Sequence, residues 1–243
     1  MTIFSLATKI FFREFRSGQL LLMFLSLSLA VGIVASITFF TDRLDSSLMI
    51  ESKQFLGGDL KYESDTPLDE SSFPIGDYSY ANIYEFGSVL GSAKKFQLAS
   101  VKSVSSPYPL IGKTEILKVN NEKVSETNPP KRGKVWLDAR LANLLEVTIN
   151  DKINIGEKDF SISGIILAES DRGSGSFAFA PKAIMNSSDL EEANLIQPGS
   201  RVRYSYVFDG SQEAIKLLEN FFQSKKKPGD EITTPGNETS PLG

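Results

Sequence analysis

The run from Leu20 to Phe40, LLLMFLSLSLAVGIVASITFF, has no charge, no proline and no side-chain amide over 21 residues. A helix of that length rises about 30 Å, the thickness of a bilayer's hydrocarbon core. Its polar members, Ser26, Ser28, Ser36 and Thr38, can return their hydroxyls to carbonyls of their own helix and do not interrupt it. Nothing else in the 243 residues comes near this hydrophobicity. The span therefore divides the chain into a short flank, 1–19, and a large polar remainder.

The flank decides orientation. Residues 3–16, IFSLATKIFFREFR, set Ile3, Phe4, Ala7, Ile10, Phe11 and Phe15 along one helical stripe, with Lys9, Arg13 and Arg16 off it. This is the pattern of an interfacial helix, rings in the acyl boundary and cations towards the headgroups of the lipid bilayer. The alternative is the charged leader of a signal sequence, but the apolar core of a cleaved signal is ~7–15 residues and this one is longer. Lys9, Arg13 and Arg16 precede the span, whereas Asp42, Arg43 and Asp45 follow it. The positive-inside bias then predicts a cytoplasmic N-terminus, with residues 41–243 exported.

Charge and composition exclude several functions. Residues 1–40 carry three basic and one acidic side chain, +2, so the remainder carries −6 of the chain's net −4. Nucleic-acid binders show a basic patch or stripe, so nucleic acid is not an expected partner. The chain has no cysteine and no histidine. Nucleophilic triads built on histidine, and zinc sites built on histidine or cysteine, are thereby ruled out.

The polar remainder has an α+β pattern. Residues 41–56, TDRLDSSLMIESKQFL, keep Leu44, Leu48 and Phe55 on one side and predict a stalk helix, stopped by Gly57-Gly58. Short β-rich runs follow at 59–63, 78–86, 88–90 and 95–104, divided by Pro67, Pro74, Gly76, Gly87 and Gly91. Another run opens at Tyr108-Pro109-Leu110 and ends near Val119, and 120–132 (NNEKVSETNPPKR) has the composition of a polar turn or linker. A second module starts at Gly133: a strand at 134–137, a helix at 138–145 capped by Asp138, and a hairpin in which 152–155 turns at Gly156-Glu157-Lys158 and returns through Phe160, Ile162 and Gly164. A flexible loop at 171–176, a strand at 177–181 and short helical turns at 183–195 come next. A strand at 201–208 and a helix at 212–222 resemble the return half of a split αβ domain, and 223–243 is expected to be loop.

Candidate chemistry is sparse. Gly173-Ser174-Gly175-Ser176 lacks the phosphate-loop pattern, and no lysine stands at the spacing that would activate either serine. Asp69-Glu70, Glu191-Glu192 and Asp230-Glu231 lack calcium-loop spacing and are expected to be solvated surface. Lys225-Lys226-Lys227 suits a soluble loop, Asn186-Ser187-Ser188 and Asn237-Glu238-Thr239 are weak glycosylation matches, and Trp136 is expected in the core. No catalytic, cofactor-binding or metal-binding residue emerges.

Several strings, in order, carry a family resemblance: Arg13-Glu14-Phe15-Arg16 before the span, Phe39-Phe40-Thr41-Asp42-Arg43 after it, Gly58-Asp59-Leu60, Tyr108-Pro109-Leu110 with Gly112, Leu137-Asp138-Ala139-Arg140-Leu141, and Ile196-Gln197-Pro198-Gly199-Ser200-Arg201. Together they make the chain resemble the permease subunits of MacB/FtsX-type ABC transporters, in particular the YbbP-like subgroup. The resemblance implies a porter-like αβ part (57–132 and 195–222) with an inserted β-rich part (133–194), after the membrane helix 20–40 and the stalk 41–56. It implies a non-catalytic permease, a separate ATPase subunit that holds ATP and Mg, and a second permease copy or homologous permease. Such a transporter moves its periplasmic domain mechanically to export or extract a hydrophobic or lipid-like substrate. Family members carry further membrane helices after this domain, so the chain is expected to be the N-terminal portion of a longer product, with 223–243 leading out of the domain. A single-pass exported binding or sensor protein is the alternative, and a membrane-anchored enzyme a distant third.

Overall fold

A computed structural model describes residues 18–171 and 180–235, together with Ile10 and Arg13. The chain divides into two units, Met1–Met49 and Ile50–Gly243.

In the first unit, helix α1 (Gln19–Leu56) begins and continues unbroken past its boundary. An 18-residue window within it has mean hydropathy 2.3 with none of it buried, and among the described residues α1 is the one helix long and apolar enough to cross a membrane. The polar side chains behave as their spacing predicts: Ser26 Oγ donates to the Met23 carbonyl (2.9 Å) and Thr38 Oγ1 to that of Val34 (3.0 Å). Further along, Ser46 and Ser47 donate likewise to the carbonyls of Asp42 and Arg43, each at 2.9 Å. Of the interface cations, Arg13 is helical and exposed, whereas Lys9 and Arg16 lie outside the described residues, as does most of the flanking amphipathic segment.

The second unit opens with the last turns of α1. Gly57 ends them in the left-handed region (φ +79°), its N–H donating to the Lys53 carbonyl at 2.9 Å. A side chain there would be strained, so glycine suits the stop. At Gly58 the constraint is space: a Cβ would sit 2.6 Å from the Phe208 carbonyl oxygen. The chain then enters an eleven-stranded sheet of β1 (Leu60–Ser64), β2 (Tyr78–Gly91), β3 (Phe96–Val104), β4 (Thr114–Leu117), β5 (Lys123–Glu126), β6 (Lys134–Asp138), β7 (Lys152–Ile155), β8 (Lys158–Glu169), β9 (Lys182–Asn186), β10 (Val202–Gly210) and β11 (Glu231–Thr233). Their order is β11-β1-β10-β2-β3-β9-β6-β8-β4-β5, with β7 joining β2 and β8. β10 lies between β1 and β2, antiparallel to both, so the late strand completes the early part of the sheet.

Two helices cover one face. α2 (Ala139–Leu145) starts at Asp138, whose carboxylate accepts from Leu141 N–H, and lays Leu141 and Leu145 on Phe86, Leu90, Val101, Phe160 and Ile162. α3 (Gln212–Lys225) starts at the Ser211 cap and sets Leu218 and Phe222 over Leu60, Tyr62, Tyr206 and Phe208. Its aromatic cluster is dense: Phe222 stacks on Tyr62 at 4.5 Å, and Phe73 meets Tyr80, Tyr206, Phe208 and Phe222 edge-on at 5.6–5.7 Å. The opposite face carries Ala81, Ile83, Val104, Ile116, Trp136, Ile184 and Val207, covered by Tyr108 and Leu110 of the segment 105–113. Trp136 is core, as expected.

Several local expectations are corrected. Gly87 does not divide a strand; it pairs with Ser100 inside the continuous β2. Tyr108-Pro109-Leu110 is irregular cover, with the strand starting only at Thr114. The polar stretch 120–132 contains β5, an edge strand paired with β4. β4 itself is paired to β8, so strands on either side of Gly133 share one ladder system. Ala183–Asn186, expected to be helical, belongs to β9, held between β3 and β6. α3 runs to Lys225, and β11 follows it within the expected loop. These misses are mostly short or polar strands whose only stabilisation is a neighbour. The glycine-serine loop, residues 177–179 of the expected strand and the second glycosylation match lie outside the described residues.

A buried charge network as candidate functional site

On β3, Val101 faces α2, so Lys102, next in the alternation, faces the other side and is fully buried there. A buried ammonium needs partners for all three protons. Lys102 Nζ donates to Glu169 Oε1 at 2.5 Å, to Asp171 Oδ2 at 3.0 Å and to the Asp171 carbonyl at 3.1 Å. Glu169 in turn accepts from the Tyr108 hydroxyl (3.0 Å) and Lys182 Nζ (2.9 Å). The ammonium lies 5.0 Å from the Tyr108 ring centroid.

The network extends along the same face. Glu85 sits opposite Lys102 across the β2–β3 ladder. On β1, Lys61 Nζ lies 3.2 Å from Glu63 Oε1, which also accepts from Ser205 Oγ at 3.0 Å; Lys61 and Glu63 are both buried. Burial opposes the charge on Lys102, but the Asp171 and Glu169 carboxylates outweigh it and hold the ammonium well above its usual range. The same contest, with Asp171, Glu63 and Glu85, raises Lys61. Burial pushes Glu85 up against the pull of Lys102, and burial likewise raises the Tyr108 hydroxyl. A lysine held this way stays a cation at neutral pH. The arrangement clamps; it neither attacks nor accepts a proton.

What it clamps is the end of α1. Gly57 lies against Asp171, where an added Cβ would meet the Asp171 Cβ at 3.6 Å, and the Gly57 carbonyl accepts from Ile111 N–H at 3.2 Å. On the last turn, Lys53 Nζ meets Asp59 Oδ1 at 2.5 Å. Burial opposes ionisation of Asp59, but hydrogen bonds from Lys53 and Asp209 lower it overall, and Asp209 is raised by burial and by that same contact. Segment 105–113, the end of β8 and the first turn after α1 thus meet at one place.

Of the carboxylates expected to be surface, Asp69, Glu191, Glu192 and Glu231 are exposed, and Glu70 and Asp230 are half-buried. Glu70 accepts from Tyr80 Oη (2.9 Å) and Asn82 Nδ2 (2.6 Å), Asp230 accepts from Tyr62 Oη (2.5 Å), and Glu192 pairs with Arg132 (2.5 Å) and Lys158. Among the described residues no three acidic side chains gather as a metal site would require. Sequence reading missed Lys102. The one available signal was a lysine within a run, Val101–Val104, too apolar at its ends for a solvent-facing strand.

No family model matches the chain. Over 225 residues, 90% of its length, it is 31% identical to a protein of Escherichia coli (strain K12) described as an uncharacterized ABC transporter permease, YbbP. The chain is related to the YbbP-like ABC transporter permeases. It spans 27% of that relative's length. Among solved structures, the periplasmic region of MacB from Actinobacillus actinomycetemcomitans superposes with TM-score 0.47 and 13% identity, covering 77% of this chain and 94% of that one. The extracellular domain of the noncanonic ABC-type transporter YknZ from Gram-positive bacteria gives 0.44 and 9%, covering 72% and 100%.

Proposed function

We propose that the chain is the N-terminal part of an ABC transporter permease subunit that carries mechanical movement between its membrane helix and its exported domain. The supporting observation is the relationship to a YbbP-type permease over nine-tenths of the chain, joined to a helix whose last turn is tied to the sheet by Gly57, Asp59 and the Lys102 network. The work would come from ATP and Mg bound by a separate ATPase subunit. This chain's contribution would be stiffness: a continuous α1 and a clamped exit, so that displacement is transmitted and not absorbed. The substrate class that the reading favours is hydrophobic or lipid-like. A second permease copy or a homologous permease would complete the assembly.

Two experiments test it. A reporter enzyme fused after Phe222 should be active only on the exported side of the inner membrane; cytoplasmic activity overturns the orientation. Co-expression of the full-length product with a candidate ABC ATPase subunit should give a complex that co-purifies in detergent and hydrolyses ATP. If a full-length product containing this chain recruits no ATPase, the permease reading fails.

A further inference from the structure

The β1–β10 ladder ends with Leu60 opposite Phe208, so the next register position sets Asp59 opposite Asp209 at the root of α1. Like charges directly opposite on paired strands repel. Neither backbone can give way. Asp59 N–H donates to the Phe208 carbonyl at 2.7 Å, and Gly58 before it has no room even for a Cβ against that same carbonyl. Asp209 is held in the β2–β10 ladder opposite Ser79. Both side chains are half-buried, and their carboxyl groups are in hydrogen-bond contact. Lys53 Nζ, 2.5 Å from Asp59 Oδ1, is the one cation that meets the pair among the described residues. Two carboxylates thus share one ammonium, an arrangement that is neutral only when they share one proton as well.

The other ionisable groups nearby leave that balance alone. On the same face Lys61 is engaged by Glu63, and Lys102 by Glu169 and Asp171. Glu51 on α1, Asp77 before β2, Lys113 in the covering segment and Glu213 at the start of α3 are exposed. We propose that Asp59 and Asp209 form a proton-operated catch, closed in acid and opened towards neutral pH, that sets how firmly the last turn of α1 is tied to the sheet. Closed, Asp209 holds a proton taken from solvent and donates its O–H to the Asp59 carboxylate, which keeps Lys53. Opened, the proton returns to water, and two carboxylates face each other across the ladder end with one lysine to balance them. The directions of titration agree. Burial and the Asp59 carboxylate raise Asp209, whereas Asp59, although burial opposes its charge, is lowered by Lys53, by Asp209 and by the Gly210 N–H. A raised carboxyl contributes stability that is complete below the ordinary aspartate range and is lost as pH rises through the raised value. The catch belongs to the joint alone and stands whether or not an ATPase moves this chain.

The test is hydrogen–deuterium exchange by mass spectrometry on the full chain in detergent, at about pH 4.5 and about pH 7.5, with rates corrected for the intrinsic pH dependence of exchange. Peptides covering 50–60 report the joint, and those covering β6, in the interior of the sheet, report the fold as a whole. The expected result is that protection of 50–60 falls about fivefold from the lower to the higher pH while β6 is unchanged. Asp209→Asn keeps a donor for Asp59 without a titrating proton and should hold 50–60 at its acid level at both pH values. Asp209→Ala removes the second carboxylate altogether and should also make 50–60 insensitive to pH. Equal protection of wild-type 50–60 at the two pH values overturns the proposal, as does a fall shared by β6 or one that persists in either variant.

Discussion

The two faces of one sheet solve burial in opposite ways. Under α3, Tyr62, Phe73, Tyr206, Phe208 and Phe222 fill the space with rings, and their hydroxyls reach Asp230 and the Leu68 N–H at the margin. On the reverse, a few strands away, Lys61, Glu63, Glu85, Lys102, Glu169 and Asp171 are buried among aliphatic side chains. Aromatic packing is tolerant and additive in area; a buried ion network is conditional, since each charge depends on the others being in place. The conditional face is the one in contact with the helix exit at Gly57.

The contrast can be broken most sharply at Lys102. Lys102→Ala takes the buried ammonium away from Asp171 and Glu169, leaving Glu169 with Lys182, and should cost about 3–5 kcal/mol. Melting followed by near-ultraviolet circular dichroism at Trp136, which lies on this face, reports it directly. Replacing the whole triad, Lys102→Met with Glu169→Gln and Asp171→Asn, should recover much of the loss. If the single and triple variants melt alike, the network is not conditional. Phe222→Ala on the aromatic face should cost about 3–4 kcal/mol by cavity formation, with no rescue available from a second substitution.

Gly57→Ala has room for its methyl group but must hold φ +79°, so a loss of about 1–2 kcal/mol is expected. Urea titration of the full chain in detergent checks it; no change would mean that the helix exit is not held in this conformation. Alkaline titration acts on both faces in the same direction. Lys102 has a folded pKa raised above its unfolded value, so its contribution is complete below the ordinary lysine range and is lost as pH rises through the raised value. Tyr206, pushed up to about 12 chiefly by burial, loses its contribution in the same direction. The wild type should therefore unfold on the alkaline side, and the uncharged triple variant should lose the Lys102 part of that effect while keeping the tyrosine and Lys61 parts. Least in size, Glu85→Gln should stabilise at pH 7 by no more than about 1 kcal/mol and have no effect near pH 4. The reason is that burial already disfavours the ionised form of Glu85. Destabilisation at pH 7 would show that Glu85 is a full partner of Lys102.

These predictions fall where sequence was least informative. The Asp138 cap, the Gly156 turn and the stop at Gly57 were legible because each depends on residues adjacent in the chain. β5 and β11 were not, because a polar edge strand has little alternation and depends on the ladder beside it. Lys102 was hidden for a related reason. Its partners stand 67 and 69 residues away, and no local pattern marks a cation as internal.

The position of β10 has a consequence for how the protein is made. β1 and β2 emerge from the ribosome early, yet the strand that joins them ends at Gly210. Until then both inner edges stand open, with Tyr62 and Tyr80 uncovered and α3 not yet synthesised. Long-range pairing of this kind is slow, and open edges invite wrong partners. A chain paused before residue 225 is thus the state most in need of a holding chaperone, and that need should end once α3 can close over the sheet.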